Sequence, residues 1–263
     1  MSDDAAFYEG RWATPDLSAG SLRNYLVKKE RFFLRQLRGR HGRVLDLGCG
    51  GGWRLYTRVG PVVGVDLSRG SLRAARALYA EVAQASLTAL PFADGAFDFV
   101  VSSDVLGHVR QEEKDAVLAE IRRVLRPGGR TMHYVETEGQ DPLMRWARRR
   151  PDLYQRHIVA PEGHVGMESA SRTLARFRRA GFRPLQELAA YRGLLYVGRV
   201  VQLFDNEYAA LSPGVRALVV TCRALARAKP LELAANLAIS GALEVGDRLL
   251  PLDWAGGVMV CYE

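Results

Sequence analysis

The run Val44-Leu45-Asp46-Leu47-Gly48-Cys49-Gly50-Gly51-Gly52 leads an apolar strand through an acid into a cluster of glycines. Residues of these types in this order can cradle a nucleoside-bearing ligand. Glycine admits φ > 0 and removes the Cβ that would hold a ligand off the backbone, and a helix following the turn would offer free N–H groups to an anion. A dinucleotide fingerprint would carry a third glycine three positions after the second, but that position is Trp53. Asp46, two positions before the first glycine, would also repel a pyrophosphate. A second strand, Val62-Val63-Gly64-Val65-Asp66, ends in a carboxylate that can accept from both hydroxyls of a ribose.

S-adenosylmethionine meets these demands, because it has no phosphate and carries an ammonium and a sulfonium that a carboxylate favours. Four segments, VLDLGCGGG at Val44 to Gly52, VVGVDLS at Val62 to Ser68, LPFADGAFDFVVSSDVLGHV at Leu90 to Val109 and IRRVLRPGGR at Ile121 to Arg130, extend the pattern. In order and spacing the chain resembles the class I S-adenosylmethionine-dependent methyltransferases, particularly those acting on small molecules. The resemblance implies an α/β, Rossmann-like fold whose mostly parallel seven-stranded sheet ends in an antiparallel strand. It implies an enzyme that transfers the methyl group in line from S-adenosylmethionine. It also implies that the turn of Gly48, Cys49 and Gly50 contacts the methionine moiety, with Asp46 near its ammonium. Asp66 would bind the ribose and Leu67 would lie against the adenine. Where relatives carry an acid for the adenine amino group, this chain has Ser86, whose hydroxyl accepts without charge assistance; backbone near Ser86 and Leu87 is the alternative source. Ser102 and Ser103 close the fourth strand beside the sulfonium. The Asn/Asp-Pro-Pro-Tyr type of motif associated with exocyclic amines is absent, so oxygen or carbon is the favoured acceptor.

Methyl transfer needs the acceptor aligned with the S–CH₃ axis and, where its pKa requires, deprotonated. Histidine is the natural base near neutrality. His164, between Gly163 and Gly166 in a loop before a helix capped by Ser169, is the first candidate and His108 the second. His133, Tyr134 and Glu136 on the fifth strand are further candidates. No His/Cys cluster has zinc-like spacing, so no metal is expected.

These residues need a scaffold. Strands are expected at Arg43 to Leu47, Pro61 to Asp66, Glu81 to Ala85, Phe97 to Ser102, Arg130 to Glu136 and Phe182 to Ala190, with Gly257 to Tyr262 as the last. Helices are expected near Trp53 to Arg58, Ser68 to Leu78 and Gln111 to Leu125, the last ended by Pro127-Gly128-Gly129. The chain divides into a helical arm over 1–40, in which Tyr8, Trp12 and Tyr25 could cap the site, and a cofactor-binding core over 41–190. A helical insertion over 191–255 and a last strand over 256–263 complete it. The insertion has apolar positions at helical spacing over Leu194 to Phe204, Val215 to Ala228 and Leu231 to Leu250. That suggests a cover for an apolar acceptor, with a homodimer contact as the competing use.

The formal net charge of +8 raises the question of nucleic acid, but only four of the 37 basic residues are lysine and the arginines are dispersed over predicted helices. A small-molecule partner is therefore preferred and nucleic acid disfavoured. An RNA methyltransferase and a non-catalytic cofactor-binding protein are the alternatives. Three cysteines, Cys49, Cys222 and Cys261, do not make a disulfide framework and fit a reducing cytoplasm. Asp3 and Asp4 stand where a signal peptide would be positive, and no stretch is apolar enough to span a membrane.

Overall fold

The computed structural model describes residues 24–190, 196–246 and 249–263. Tyr8, Trp12 and the side chain of Tyr25 lie outside what is described. Seven strands form one sheet in the order β3-β2-β1-β4-β5-β7-β6. They are β1 (Val44–Leu47), β2 (Val62–Asp66), β3 (Glu81–Gln84), β4 (Phe97–Ser103), β5 (Leu125–Glu136), β6 (Pro184–Ala190) and β7 (Gly257–Tyr262). The pairs from β3 through β5 are parallel, and β7 runs antiparallel to both β5 and β6. The central strands read as continuous apolar runs because both faces are covered. Alternation along each strand separates two cores, with Leu45, Val63, Val100 and Val135 facing one way and Val44, Val62, Phe99 and Met132 the other.

Helices α1 (Asn24–Leu37), α2 (Arg69–Ala75), α3 (Lys114–Val124) and α6 (Ala170–Arg179) flank the sheet. Ser68 caps α2, its Oγ accepting from the Ser71 N–H at 3.0 Å, and Ser169 caps α6. Two expectations are corrected. The segment after the glycine turn is not an α-helix but turns leading to a short 3₁₀ stretch, Tyr56–Arg58. Too few residues separate Trp53 from β2 for several helical turns, and Trp53, Tyr56 and Phe33 pack edge to face instead. Pro127-Gly128-Gly129 does not precede β5 but interrupts it, shifting the β4–β5 register between Phe97 and Phe99.

Between β5 and α6 lie α4 (Pro142–Arg148), α5 (Pro151–Tyr154) and a single π turn, Gln155–Val159. Between β6 and β7 lie α7 (Val197–Phe204), α8 (Glu207–Leu211), α9 (Pro213–Arg227) and α10 (Lys229–Gly246). These groups share a third core that includes Met144, Ala147, Ile158, Val200, Phe204 and Tyr208. The Tyr208 hydroxyl donates to the Ala147 carbonyl at 2.9 Å. The helices of 142–159, which the sequence reading assigned to the cofactor core, thus pack with the insertion. Their apolar stripes need a partner that the sheet does not supply.

A buried charge network anchors the loop leading into α6. Lys114 Nζ lies 3.3 Å from Glu168 Oε2 and donates to the Gly166 carbonyl, while Arg176 reaches Glu168 Oε1 at 2.7 Å. Burial pushes Glu168 up, but the Arg176 and Lys114 contacts outweigh it and hold the carboxyl below its ordinary range. Glu168→Ala leaves Lys114 buried without its counter-charge, so denaturant unfolding should show a loss of about 3–5 kcal/mol.

Candidate active site

The carboxyl ends of β1 and β2 form the candidate cofactor half. Gly48 and Gly50 take φ of +60° and +52°, and an added Cβ on Gly48 would fall 2.6 Å from Val105 Cγ2. Asp66 accepts from the Gly50 N–H through Oδ2 at 2.9 Å and from the Ser68 N–H through Oδ1 at 2.8 Å, so the acid of β2 braces the turn of β1. Asp46 lies buried beneath that turn. The Tyr79 hydroxyl donates to its Oδ2 at 2.6 Å and accepts from the Trp53 N–H at 2.6 Å. Burial, opposed by the Tyr79 bond and reinforced by the charge of Asp66, pushes Asp46 up to about 7. Cys49 turns inward: a Cβ on Gly64 would meet its sulfur at 2.8 Å, and burial raises its thiol pKa. It is a packing residue on its side-chain face. Leu67 is half-buried, and its carbonyl accepts from Gln84 at 2.8 Å. Ser86 is exposed, its Oγ held by Thr88 in a local turn, and Leu87 packs against the core.

The second half gathers where β4 and β5 end. Glu136, the last residue of β5, receives His164 Nε2 at 2.8 Å on Oε2, and His108 Nε2 lies 3.6 Å from the same oxygen. The two imidazole rings are 4.7 Å apart. His108 Nδ1 meets the Gly163 carbonyl at 3.1 Å, and burial lowers the pKa of this histidine. Both sequence-derived base candidates thus converge on one carboxylate. The spacing rule that spoke against a metal did not see this, because the three groups come from three segments. One connector ties the halves together: Val105 touches Gly48, while a Cβ on Gly107 would fall 3.2 Å from Glu136 Oε2.

Other candidates face elsewhere. Ser102 is fully buried, with Oγ 2.7 Å from His133 Nδ1, so its hydroxyl points into the core rather than toward a ligand. His133 is held between Ser102 and Thr131, and burial lowers it to about 3. It is a neutral core residue. Three contributors escaped the sequence reading. Tyr79 gave no signal, since nothing local marks it as a partner of Asp46. Asp104 could have been found as the acid directly after β4; it adopts φ 61°, the one positive φ of a non-glycine among the described residues. Lys29 of α1 pairs with Asp104 and stands over the Tyr134 ring at 4.9 Å. Many arginines are paired, as Arg123 is with Glu120 and Asp94 and Arg126 with Asp98. No described helix is long and apolar enough to cross a membrane.

Residues 44–129 match the family described as a methyltransferase domain. These residues form a class I methyltransferase domain. Demethylmenaquinone methyltransferase of Lactococcus lactis is 36% identical over 141 residues, covering 48% of this chain and 53% of the relative. The ubiquinone/menaquinone biosynthesis C-methyltransferase UbiE of Yersinia pestis is 32% identical over 142 residues, covering 49% and 55%. The chain thus spans about half the length of these curated relatives. Phosphoethanolamine N-methyltransferase 2 of Haemonchus contortus, solved with S-adenosyl-L-methionine, shares the fold at TM-score 0.53 and 17% identity, covering 89% of this chain and 52% of that one. S-adenosylmethionine is the methyl donor of class I methyltransferases.

The shifted acid beneath the glycine turn makes a prediction. The folded value of Asp46, about 7, exceeds its ordinary 3.8, so the folded state holds the proton more tightly. The stability this contributes is present below about pH 4 and is lost as pH rises through about 7. Asp46→Asn keeps an acceptor for Tyr79 without the charge. Thermal melts should show the variant gaining on the native protein as pH rises from 4 to 8.

Proposed function

We propose that the protein transfers the methyl group of S-adenosylmethionine to oxygen or carbon of a small or medium-sized organic molecule. The connector from Asp104 to His108 carries this reading, because it touches the cofactor turn at one end and the His108–Glu136–His164 group at the other. An acceptor over the ends of β4 and β5 would face both. The acceptor gives up a proton, its oxygen or carbon takes the methyl carbon, and the C–S electron pair remains on sulfur, leaving S-adenosylhomocysteine. His164 and His108, backed by Glu136, are the groups that activate the acceptor. Two curated relatives are named for menaquinone or ubiquinone chemistry, one as a C-methyltransferase, which supports an organic acceptor.

The helical insertion is proposed to cover that acceptor. Ala190, at the end of β6, and Glu136 both pair with Gly257, so the insertion leaves the sheet beside Glu136. Arg199 and Gln202 of α7 hold Glu162, two residues before His164, at 2.9 and 3.1 Å. Its apolar helices favour a partly apolar acceptor, and three free, buried cysteines fit a reducing cytoplasm.

Two measurements test the reading. By calorimetry, Asp66→Ala should weaken S-adenosylhomocysteine binding by about 1.5–3 kcal/mol, the size of hydrogen bonds to a charged group, and Gly48→Val should abolish it. In a methyl-transfer assay on a substrate found by screening, His164→Ala should lower turnover roughly a hundredfold or more while cofactor affinity stays unchanged. Normal cofactor binding by folded Asp66→Ala would overturn the assignment.

A further inference from the structure

We infer that His108, Glu136 and His164 form a binding site for one divalent first-row transition ion of the zinc class. Each residue offers one donor atom, and the three lie within 4.8 Å of one another although they come from the loop after β4, the end of β5 and the loop before α6. Bonds of about 2.0–2.2 Å to imidazole nitrogen and carboxylate oxygen place tetrahedral donors about 3.4 Å apart. The separations from Glu136 Oε2, 2.8 Å to His164 Nε2 and 3.6 Å to His108 Nε2, bracket that value. The side chains of Glu136 and His164 are 6% and 4% exposed and that of His108 13%, so the donors meet away from bulk water.

The surroundings have the features of a ligand shell. The Gly163 carbonyl can only accept, so the hydrogen of a neutral His108 ring sits on Nδ1 and the Nε2 lone pair is the one near Glu136 Oε2. Fixing the far nitrogen on a backbone carbonyl is how metal-ligating histidines are oriented. Gly107 keeps a side chain from crowding the donors, since a Cβ there would come within 3.2 Å of Glu136 Oε2 and 3.4 Å of His164 Cδ2. Two imidazoles and one carboxylate select zinc, cobalt or iron over magnesium or calcium, which prefer all-oxygen shells. Three protein ligands leave a tetrahedral ion one further position for water or substrate, the arrangement of catalytic rather than structural sites.

The role of the ion rests on the methyl-transfer reading. Its open position takes the oxygen of the acceptor, which makes a phenol or an enol the substrate class. The hydroxyl proton passes to solvent, and the methyl carbon bonds to that oxygen, or to the conjugated ring or enol carbon, as the C–S bond breaks onto sulfur.

The test uses the full chain, stripped with a chelator and dialysed, then titrated separately with Zn²⁺ and Co²⁺. Bound metal is counted by elemental analysis, and the visible spectrum of the Co²⁺ form reports its coordination. One ion per chain is expected, with a low-symmetry Co²⁺ spectrum. His108→Ala, His164→Ala and the conservative Glu136→Gln should each weaken binding by more than about a hundredfold, beyond the effect of losing an outer-shell partner. S-adenosylhomocysteine affinity should stay unchanged in all three, which also shows that they fold. Absence of stoichiometric Zn²⁺ and Co²⁺ in the unaltered protein, or full retention by the three variants, would overturn the site. Metal binding without any S-adenosylhomocysteine binding would uphold the site and remove its role in methyl transfer.

Discussion

The cofactor half depends on a buried carboxylate. An ionised acid without a donor is costly in the interior, and Tyr79 meets that demand by donating to Asp46 while its oxygen takes the Trp53 amide. One hydroxyl therefore links the strand that enters the glycine turn to the segment that leaves it. Asp66 braces the same turn from the next strand through the Gly50 N–H. The turn is braced by side chains, with no long helix behind it.

The His108–Glu136–His164 group is positioned differently, by loops pinned through buried charged side chains. Lys114 of α3 holds the Gly166 carbonyl and Glu168, and Arg176 of α6 closes on the same carboxylate. The Gly166 N–H also bonds the Gly107 carbonyl at 3.1 Å. His164 is thereby presented to Glu136 by a loop fixed at its far end. The near end is held by Arg199 and Gln202 of the insertion through Glu162. A change in how those helices pack would move that loop, which couples the third core to His164.

That third core shows how the fold adds a helical layer without disturbing the sheet. Helices from two separate stretches, 142–159 and 197–246, bury apolar faces against each other. Both stretches leave the sheet at the edge where β5, β7 and β6 meet, so they gather at one end of the sheet. The exposed Val220, Leu231 and Leu237 show that this core does not cover every apolar side chain of α9 and α10.

The local pattern in the chain determined the strands, because apolar runs ending in acids and glycines report burial on both faces and a turn that needs φ > 0. Asp46, Gly48, Gly50 and Asp66 were legible as strand-end acids and turn glycines for the same reason. Each is marked by its place at the end of a strand or in the turn that follows, although Asp46 and Asp66 find their partners, Tyr79 and the Gly50 N–H, on other segments. The convergence of His108 and His164 on Glu136 was not legible, since it depends on the distance between three segments that meet only when the sheet closes. Nor was the inward face of Ser102, which follows from a one-residue alternation that sets its hydroxyl against His133 in the core. Tyr79 and the partnership of 142–159 with the insertion belong to the same class. A side chain's type can be read along the chain, but its partner is chosen by packing between elements distant in sequence, and only the tertiary structure decides that.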